Sequence, residues 1–280
     1  MDTFLRLPFI LPAFCLTLCF GGEKDRPDST AARKLPVAGV IACDGMAFLR
    51  MAGHVFSAPA HWDGGEWLLA GALGAGTAGS TLLDDDIRSL MGRNHTRLND
   101  RLSDVAVQYG EGLTMLLVSA GGYAAGLAFE DDWIRETSLL SGTAIILAGT
   151  ISTVSKIVIG RARPFTAEGR YRFRPFSFND GYEAFPSGHT IVAFAVSGVL
   201  AERIKNPWAT AGLYGLAAAT GLSRMYTDHH WFSDVLFGAI ISISVSRSVV
   251  HWYEEGNAGG EERGLRLLPA GNRIALVWRF

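Results

Sequence analysis

Between residues 112 and 250 the chain alternates long apolar runs with short polar breaks, and this pattern restricts its fold more than any other feature. Gly112–Phe129 carries no charge, and Glu130-Asp131-Asp132 closes it. Ser138–Ile159 is apolar except for Lys156; Ser187–Ile204, Pro207–Leu222 and Trp231–Val250 follow. Such runs are too long for strands and fit helices. Upstream, residues 36–57 read as an amphipathic helix and Ala58–Gly65 as a turn. Glu66–Leu83 has the length of a short membrane span, which the acids Asp84-Asp85-Asp86 stop. Residues 87–109 are polar-amphipathic, with Arg88, Arg93, Arg97 and Arg101. The expected fold is all-α, a helical bundle.

Whether the bundle crosses a bilayer is a closer question. Most of the runs are 15–20 residues long, at or below the roughly 20 that a spanning helix needs. They are rich in Gly, Ala, Ser and Thr, which suits close packing between membrane helices and equally a tight soluble bundle. The apolar fraction of 49% is high for a soluble protein. The mean hydropathy of +0.20 is low for a polytopic one. If the polar motifs described below face outward, the acidic turn 130–136 lies inside and the four arginines outside, against the positive-inside tendency; Glu202–Asn206 fits it. The balance tilts slightly toward membrane integration. A net charge of −2 and a pI near 6.4 give no basic field for nucleic acid.

The two ends differ from the middle. Arg6 precedes the apolar stretch Leu7–Phe20, and polar residues follow Gly21-Gly22, so residues 1–22 read as a signal peptide or an N-terminal anchor. Residues 23–65 then form a linker and the amphipathic helix, and 66–255 the main helical domain. Cys15 and Cys19 lie in the leader, so a mature chain keeps only Cys43 and forms no internal disulfide. In the tail, 256–280, Leu265–Leu268 and Arg273–Phe280 flank Pro269-Ala270-Gly271-Asn272, which predicts a short C-terminal β-hairpin.

Three polar motifs interrupt the apolar runs. Phe185-Pro186-Ser187-Gly188-His189-Thr190 opens a helix, with Ser187 as N-cap. The first N–H groups of that helix make an anion site, Gly188 permits close approach, and His189 stands at the rim. Upstream stands Lys156-Ile157-Val158-Ile159-Gly160-Arg161-Ala162-Arg163-Pro164. Lys156 and Arg163 are seven apart, so on a continuous helix they share a face and clamp a phosphoryl group. Arg161 falls off that spacing and reads as a solvated or loop contact. Downstream, Ser223-Arg224 is followed by His229-His230 and Asp234. His230 and Asp234 share a helical face, and a carboxylate accepting one ring N–H leaves the other nitrogen as a nucleophile. His229 lies off that face and reads as a packing or rim residue. Arg170-Tyr171-Arg172-Phe173-Arg174, with Phe176 and Phe178, forms either a loop over buried aromatics or a lip for an anionic substrate with an apolar body.

Together, the three motifs closely resemble the type 2 phosphatidic acid phosphatase superfamily, which includes bacterial class A acid phosphatases and vanadium haloperoxidases. The resemblance covers roughly residues 110–250. It implies that His230 attacks phosphorus to form a phosphohistidine, that Asp234 orients His230, and that His189 protonates the leaving oxygen and then activates water. It implies further that Lys156, Arg163, Ser187, the Gly188 N–H and Arg224 hold the phosphoryl oxygens. No His, Cys and carboxylate cluster has metal-ligand spacing, so neither metal nor cofactor is expected. The expected activity is a metal-independent phosphomonoesterase or pyrophosphatase of the bacterial envelope, with its site outside the cytoplasm and a phosphorylated lipid or small phosphate ester as substrate. A soluble periplasmic acid phosphatase is the alternative, and a vanadate-dependent haloperoxidase a more distant one.

Overall fold

The computed structural model describes residues 36–258, 264–270 and 273–279. The leader at 1–22 and most of the linker lie outside the described residues. The helices are α1 (Val37–Ser57), α2 (Gly64–Ser80), α3 (Asp84–Arg93), α4 (Arg97–Gln108), α5 (Gly112–Ala128), α6 (Asp132–Ile159), α7 (Gly188–Ile204), α8 (Pro207–Tyr226) and α9 (Phe232–Ala258). Strands β1 (Gly264–Ala270) and β2 (Arg273–Arg279) pair antiparallel, Leu267 opposite Leu276. The chain divides into two compact units. One is Ala47–Glu255; the other draws on the two ends of the chain and includes β1 and β2.

Local sequence explains most helix ends. Asp63 and Glu66 form a reciprocal capping box at the start of α2. The Asn206 side chain accepts from Trp208 N and Ala209 N, and Pro207 takes the first position of α8. Asp131 caps α6 by accepting from Ile134 N. The acids at 130–132 therefore also open α6, which starts six residues before the expected Ser138. The run Asp84-Asp85-Asp86 likewise opens a helix. α2 ends at Ser80, one 3-10 turn follows, and the three carboxylates occupy the first turn of α3, where the helix dipole favours them. The polar stretch 87–109 is two helices parted by Asn94-His95-Thr96, with Thr96 as the cap of α4.

Helix α7 is the centre of the larger unit. Thr190 through Val199 are all buried, the pattern of a helix surrounded by others. It packs against α6 and α8. Ile191, Val192, Ala195, Val196 and Val199 meet Leu140, Ala144, Ile145, Leu147 and Ala148 of α6 and Val245, Val249 and Val250 of α9 in one core. Among the described residues three segments are long and apolar enough to cross a membrane: Val37–Ala60, Asp132–Ile159 and Phe232–Gly256. Their mean hydropathies are 1.2, 1.7 and 1.5. The outward side chains Leu68, Leu69, Leu117, Val154 and Trp208 are exposed, as a lipid-facing surface requires.

Candidate active site

Three chain turns at one end of the α6–α9 bundle carry the polar motifs. The first begins at Gly160, the left-handed C-cap of α6 with φ 58°. A side chain there would overlap the Arg174 carbonyl. The chain leaves α6 at this point and runs on extended through Arg163, at φ −74° and ψ 152°. Lys156 and Arg163 are thus not on one helical face, as their spacing predicts. One ends α6, the other lies beyond its cap, and the turn brings them into electrostatic reach. Backbone bonds fix the extended segment: Ala162 N to Arg172 O, Arg174 N to Gly160 O and Arg163 N to Gly181 O, at 2.9, 2.6 and 2.8 Å. The loop 170–174 is therefore tied by its backbone to the segment that carries Arg163. Its aromatic side chains Tyr171 and Phe173, with Phe176 and Phe178, are exposed rather than packed beneath it.

The second turn opens α7. Ser187 is the N-cap residue, but its hydroxyl caps no N–H. It accepts instead from Thr190 Oγ1 at 2.8 Å, and Ser187 N donates to Asp234 O at 3.2 Å. A Cβ on Gly188 would stand 3.6 Å from Lys156 Nζ, so the lysine ammonium lies at the mouth of α7. His189 Nε2 sits 3.3 Å from Glu111 Oε2.

The third turn links α8 to α9. α8 runs four residues past the expected Leu222, placing Arg224 in its last turn. The Arg224 carbonyl accepts from both His229 N and His230 N. His229 is half-buried, with Nδ1 2.7 Å from Thr227 O and its ring edge-on to Phe165, which fits a packing role. His230 is buried, and its Nδ1 donates to Ala184 O at 2.6 Å. This bond puts the proton on Nδ1 and leaves Nε2 as the unprotonated nitrogen. The sequence pattern assigned that task to Asp234. Instead, His230 precedes α9, and the Asp234 carboxylate stands 3.9 Å from Nδ1, beyond hydrogen-bond range.

Asp234 has other partners. Oδ2 accepts from Trp231 N at 2.8 Å, capping α9, and Oδ1 accepts from Arg161 Nη1 at 2.5 Å. Arg161 is 2% exposed, which corrects its reading as a solvated contact. Its Nη2 donates to Asp84 Oδ2 at 2.7 Å and its Nε to Arg170 O at 2.9 Å. Asp84, 1% exposed, also accepts from Ser233 N and Ser233 Oγ. One guanidinium thus bridges two buried carboxylates and pins the start of α9, with the lip and α3, around the His230 turn. Trp231 locks the same turn by donating Nε1–H to Ala162 O. Sequence spacing missed Asp84 and Glu111. Neither lies in a motif, and nothing around them distinguishes a buried partner from a solvated acid.

The electrostatics define the site's chemistry. Burial, with Arg163 and Lys156 close by, pushes the His230 imidazole well below its ordinary range; Arg224 adds to this and the Ala184 bond opposes it. Burial and Arg224 also lower His189, against the opposing charge and hydrogen bond of Glu111. Arg163 Nη2 pairs with Asp180 at 2.8 Å. The Nε atoms of Arg163 and Arg224, however, are buried without any partner. Buried donors of this kind are rarely left unpaired, and two of them near Lys156, His189 and the α7 N-terminus are a setting that suits a tetrahedral oxyanion.

Fold and site together define a helical bundle with a cluster of cations and histidines at one end. Residues 137–258 match the family model of the PAP2 superfamily. Two lipid A 1-phosphatases are similar to the chain. That of Porphyromonas gingivalis is 36% identical over 103 residues, 35% of this chain and 20% of that protein. That of Rhizobium etli is 32% identical over 101 residues, 34% of this chain and 41% of that protein. The chain thus spans less than half the length of these curated relatives. The crystal structure of Aquifex aeolicus LpxE aligns at a TM-score of 0.45 and 22% identity, covering 60% of this chain and 95% of that one. A transmembrane PAP2 type phosphatidylglycerolphosphate phosphatase from Bacillus subtilis aligns at 0.47 and 17%, covering 76% and 96%.

Proposed function

We propose that the protein is a membrane-associated phosphatase that hydrolyses a lipid phosphate through a phosphohistidine. The observation that carries this reading is the pair of buried, unpartnered guanidinium Nε–H donors on Arg163 and Arg224. They flank a neutral histidine whose proton is fixed on the far nitrogen. In the proposed reaction His230 Nε2 attacks phosphorus as the ester P–O bond breaks, and the leaving oxygen takes a proton from His189. Water then attacks the phosphohistidine and gives a proton to His189, which releases inorganic phosphate and restores His230. Lys156, Arg163, Arg224, Ser187 and the Gly188 N–H carry the charge of the phosphoryl oxygens. These cations and N–H groups perform the neutralisation that a metal supplies elsewhere, so turnover is expected to survive a chelator and to be blocked by vanadate. Asp234 acts on His230 indirectly, by holding the turn in which it sits.

Three features support a lipid substrate: the spans at 37–60, 132–159 and 232–256, the exposed aromatics of the lip, and the lipid A 1-phosphatases among the similar proteins. A glycolipid 1-phosphate of the lipid A kind is the first substrate to test, and an outward-facing site the expected topology. The test is phosphate release by the purified protein in detergent micelles from lipid A, phosphatidic acid, phosphatidylglycerol phosphate and undecaprenyl pyrophosphate. His230→Ala is expected to abolish release and His229→Ala to cost far less. Equal losses in the two variants, or activity that vanishes with EDTA and returns with magnesium, would overturn the reading.

A further inference from the structure

We propose that Glu111 is a positioning residue for His189: it holds the Nε2 edge of the imidazole, keeps a proton on the ring, and leaves Nδ1 for the leaving oxygen. This inference rests on the phosphatase reading above and deepens it.

The placement of Glu111 is built into the fold. Three consecutive residues of the α4–α5 turn lie against α7. The Tyr109 hydroxyl bonds Ser197 Oγ at 2.9 Å. Ser197 spends its own proton on Leu213 O at 2.9 Å, so Tyr109 is the donor of that pair. Gly110 packs onto the His189 backbone: a Cβ there would stand 2.5 Å from His189 O and 2.9 Å from His189 Cβ. Thr220 Oγ1, in α8, holds the last turn of α4 by donating to Ala106 O at 2.8 Å. Glu111 follows at the N-cap of α5, where a carboxylate ordinarily caps its own helix. Its side chain makes no such bond and reaches across to His189 Nε2 at 3.3 Å.

The charge pattern gives that reach a purpose. His189 faces Arg224 from α8, Lys156 from α6 and Glu111 from α5. The two cations that would hold the phosphoryl group also repel a proton from the ring. A general acid must carry its proton when the leaving oxygen departs. Glu111 is the carboxylate that opposes the two cations, and it does so on the ring nitrogen it bonds. Once the proton has gone to the leaving group, the ring is neutral and accepts one from water.

The test uses the full chain in detergent micelles with Glu111→Gln, which keeps the side chain's shape and an acceptor oxygen but removes the charge. An alkyl phosphate, whose leaving oxygen needs a proton, is compared with nitrophenyl phosphate, whose leaving group does not. The expected result is a kcat on the alkyl phosphate at least about tenfold lower near neutral pH, a fraction of the roughly 10²–10⁴-fold that general acids contribute. The loss grows as pH rises, KM changes little, and nitrophenyl phosphate turnover stays within about threefold. Glu111→Asp is expected to restore part of the loss. Independently of turnover, the His189 imidazole is titrated by NMR, its signal assigned by its absence in His189→Asn. In Glu111→Gln that titration is expected to move to lower pH. An unmoved titration, or equal losses on both substrates across the pH range, would overturn the role of Glu111. Inactivity of the unmodified chain toward both substrates would count against the phosphatase reading, and the NMR titration would still decide for or against Glu111.

Discussion

The Arg161 cluster lets the integrity of the site be tested through stability. Arg161 is the cation between two buried carboxylates, Asp84 and Asp234, at 2.7 and 2.5 Å. Arg161→Met removes the only charge of its sign in that group and leaves two anions facing each other without water. Breaking a buried pair in this way costs about 3–5 kcal/mol. Asp84→Asn does less. It loses the charge-assisted bond from Arg161 Nη2, worth about 1.5–3 kcal/mol, and turns Ser233 Oγ from donor to acceptor, but it relieves the repulsion between Asp84 and Asp234 and leaves a neutral Arg161–Asp234 pair. A net cost of about 1–3 kcal/mol is expected. For a domain of this size 1 kcal/mol moves Tm by roughly 2–4 °C. Arg161→Met should therefore melt roughly 10 °C below the unmodified protein, and Asp84→Asn at about half that distance. The assay is thermal unfolding in micelles, followed by intrinsic tryptophan fluorescence. Acidification to about pH 5 should narrow the Arg161→Met gap, since one proton taken up between the two carboxylates removes their mutual repulsion. Arg161→Met melting within about 2 °C of the unmodified protein, or Asp84→Asn melting below Arg161→Met, would refute this account.

Three further outcomes follow from the site. Because the folded His230 takes up a proton well below its ordinary value of 6.5, the unfolded chain binds more protons as pH falls; its stabilising contribution is complete above about 6.5 and is lost below it. Thermal unfolding between about pH 7.5 and pH 5 should thus show a smaller acid loss in His230→Asn than in the unmodified protein, and an equal loss would contradict it. Gly160→Ala places a side chain at φ 58° and against the Arg174 carbonyl, and is expected to cost at least about 1–3 kcal/mol together with the activity. Gly149→Ala, inside α6 with open space around it, should be neutral or stabilising by about 0.5–1 kcal/mol in the same melts. Arg163→Lys and Arg224→Lys keep the charge but lose the orphaned Nε–H, so each is expected to lower kcat on the order of 10²-fold; full activity in either would remove the cradle.

The helices were readable because their signals are local. Apolar runs, Asn206-Pro207 and Gly160 mark where helices run, start and stop, and the structure uses each of them. Boundaries slipped where one residue serves two ends. The acids at 84–86 and 130–132 look like terminators of the preceding run, yet they open the next helix, because a carboxylate stabilises an N-terminus as readily as it breaks an apolar pattern. The site residues were legible for another reason. Lys156, Arg163, His189, Arg224 and His230 fall into spaced motifs, and those motifs sit on turns at one end of the bundle. Spacing failed at the level of contacts. Seven residues mean a shared face only on an unbroken helix, and Gly160 breaks it. Four residues mean a carboxylate–imidazole bond only if both lie within the helix, and His230 lies before it.

The partners that spacing could not show come from the other half of the chain. The family match begins at residue 137, but the site it contains is not closed by its own residues. Asp84 from α3 satisfies Arg161 and Ser233. Arg88, one turn on, forms a bidentate pair with Asp228 and stacks over Trp231 at 5.5 Å. Glu111 opposes the cations around His189. Each of these contacts spans more than 70 positions, so each must be formed by packing α3, α4 and α5 onto the bundle. The motif half carries the groups that would bind and attack, and the preceding helices hold those groups still and set their charge. Two surfaces of the His230 turn are involved, since Arg161 and Asp84 grip the start of α9 while Arg88 grips Asp228 at the turn's other end. A shift of α3 relative to α9 would therefore strain His230 from both sides, even though no atom of α3 need touch the phosphate.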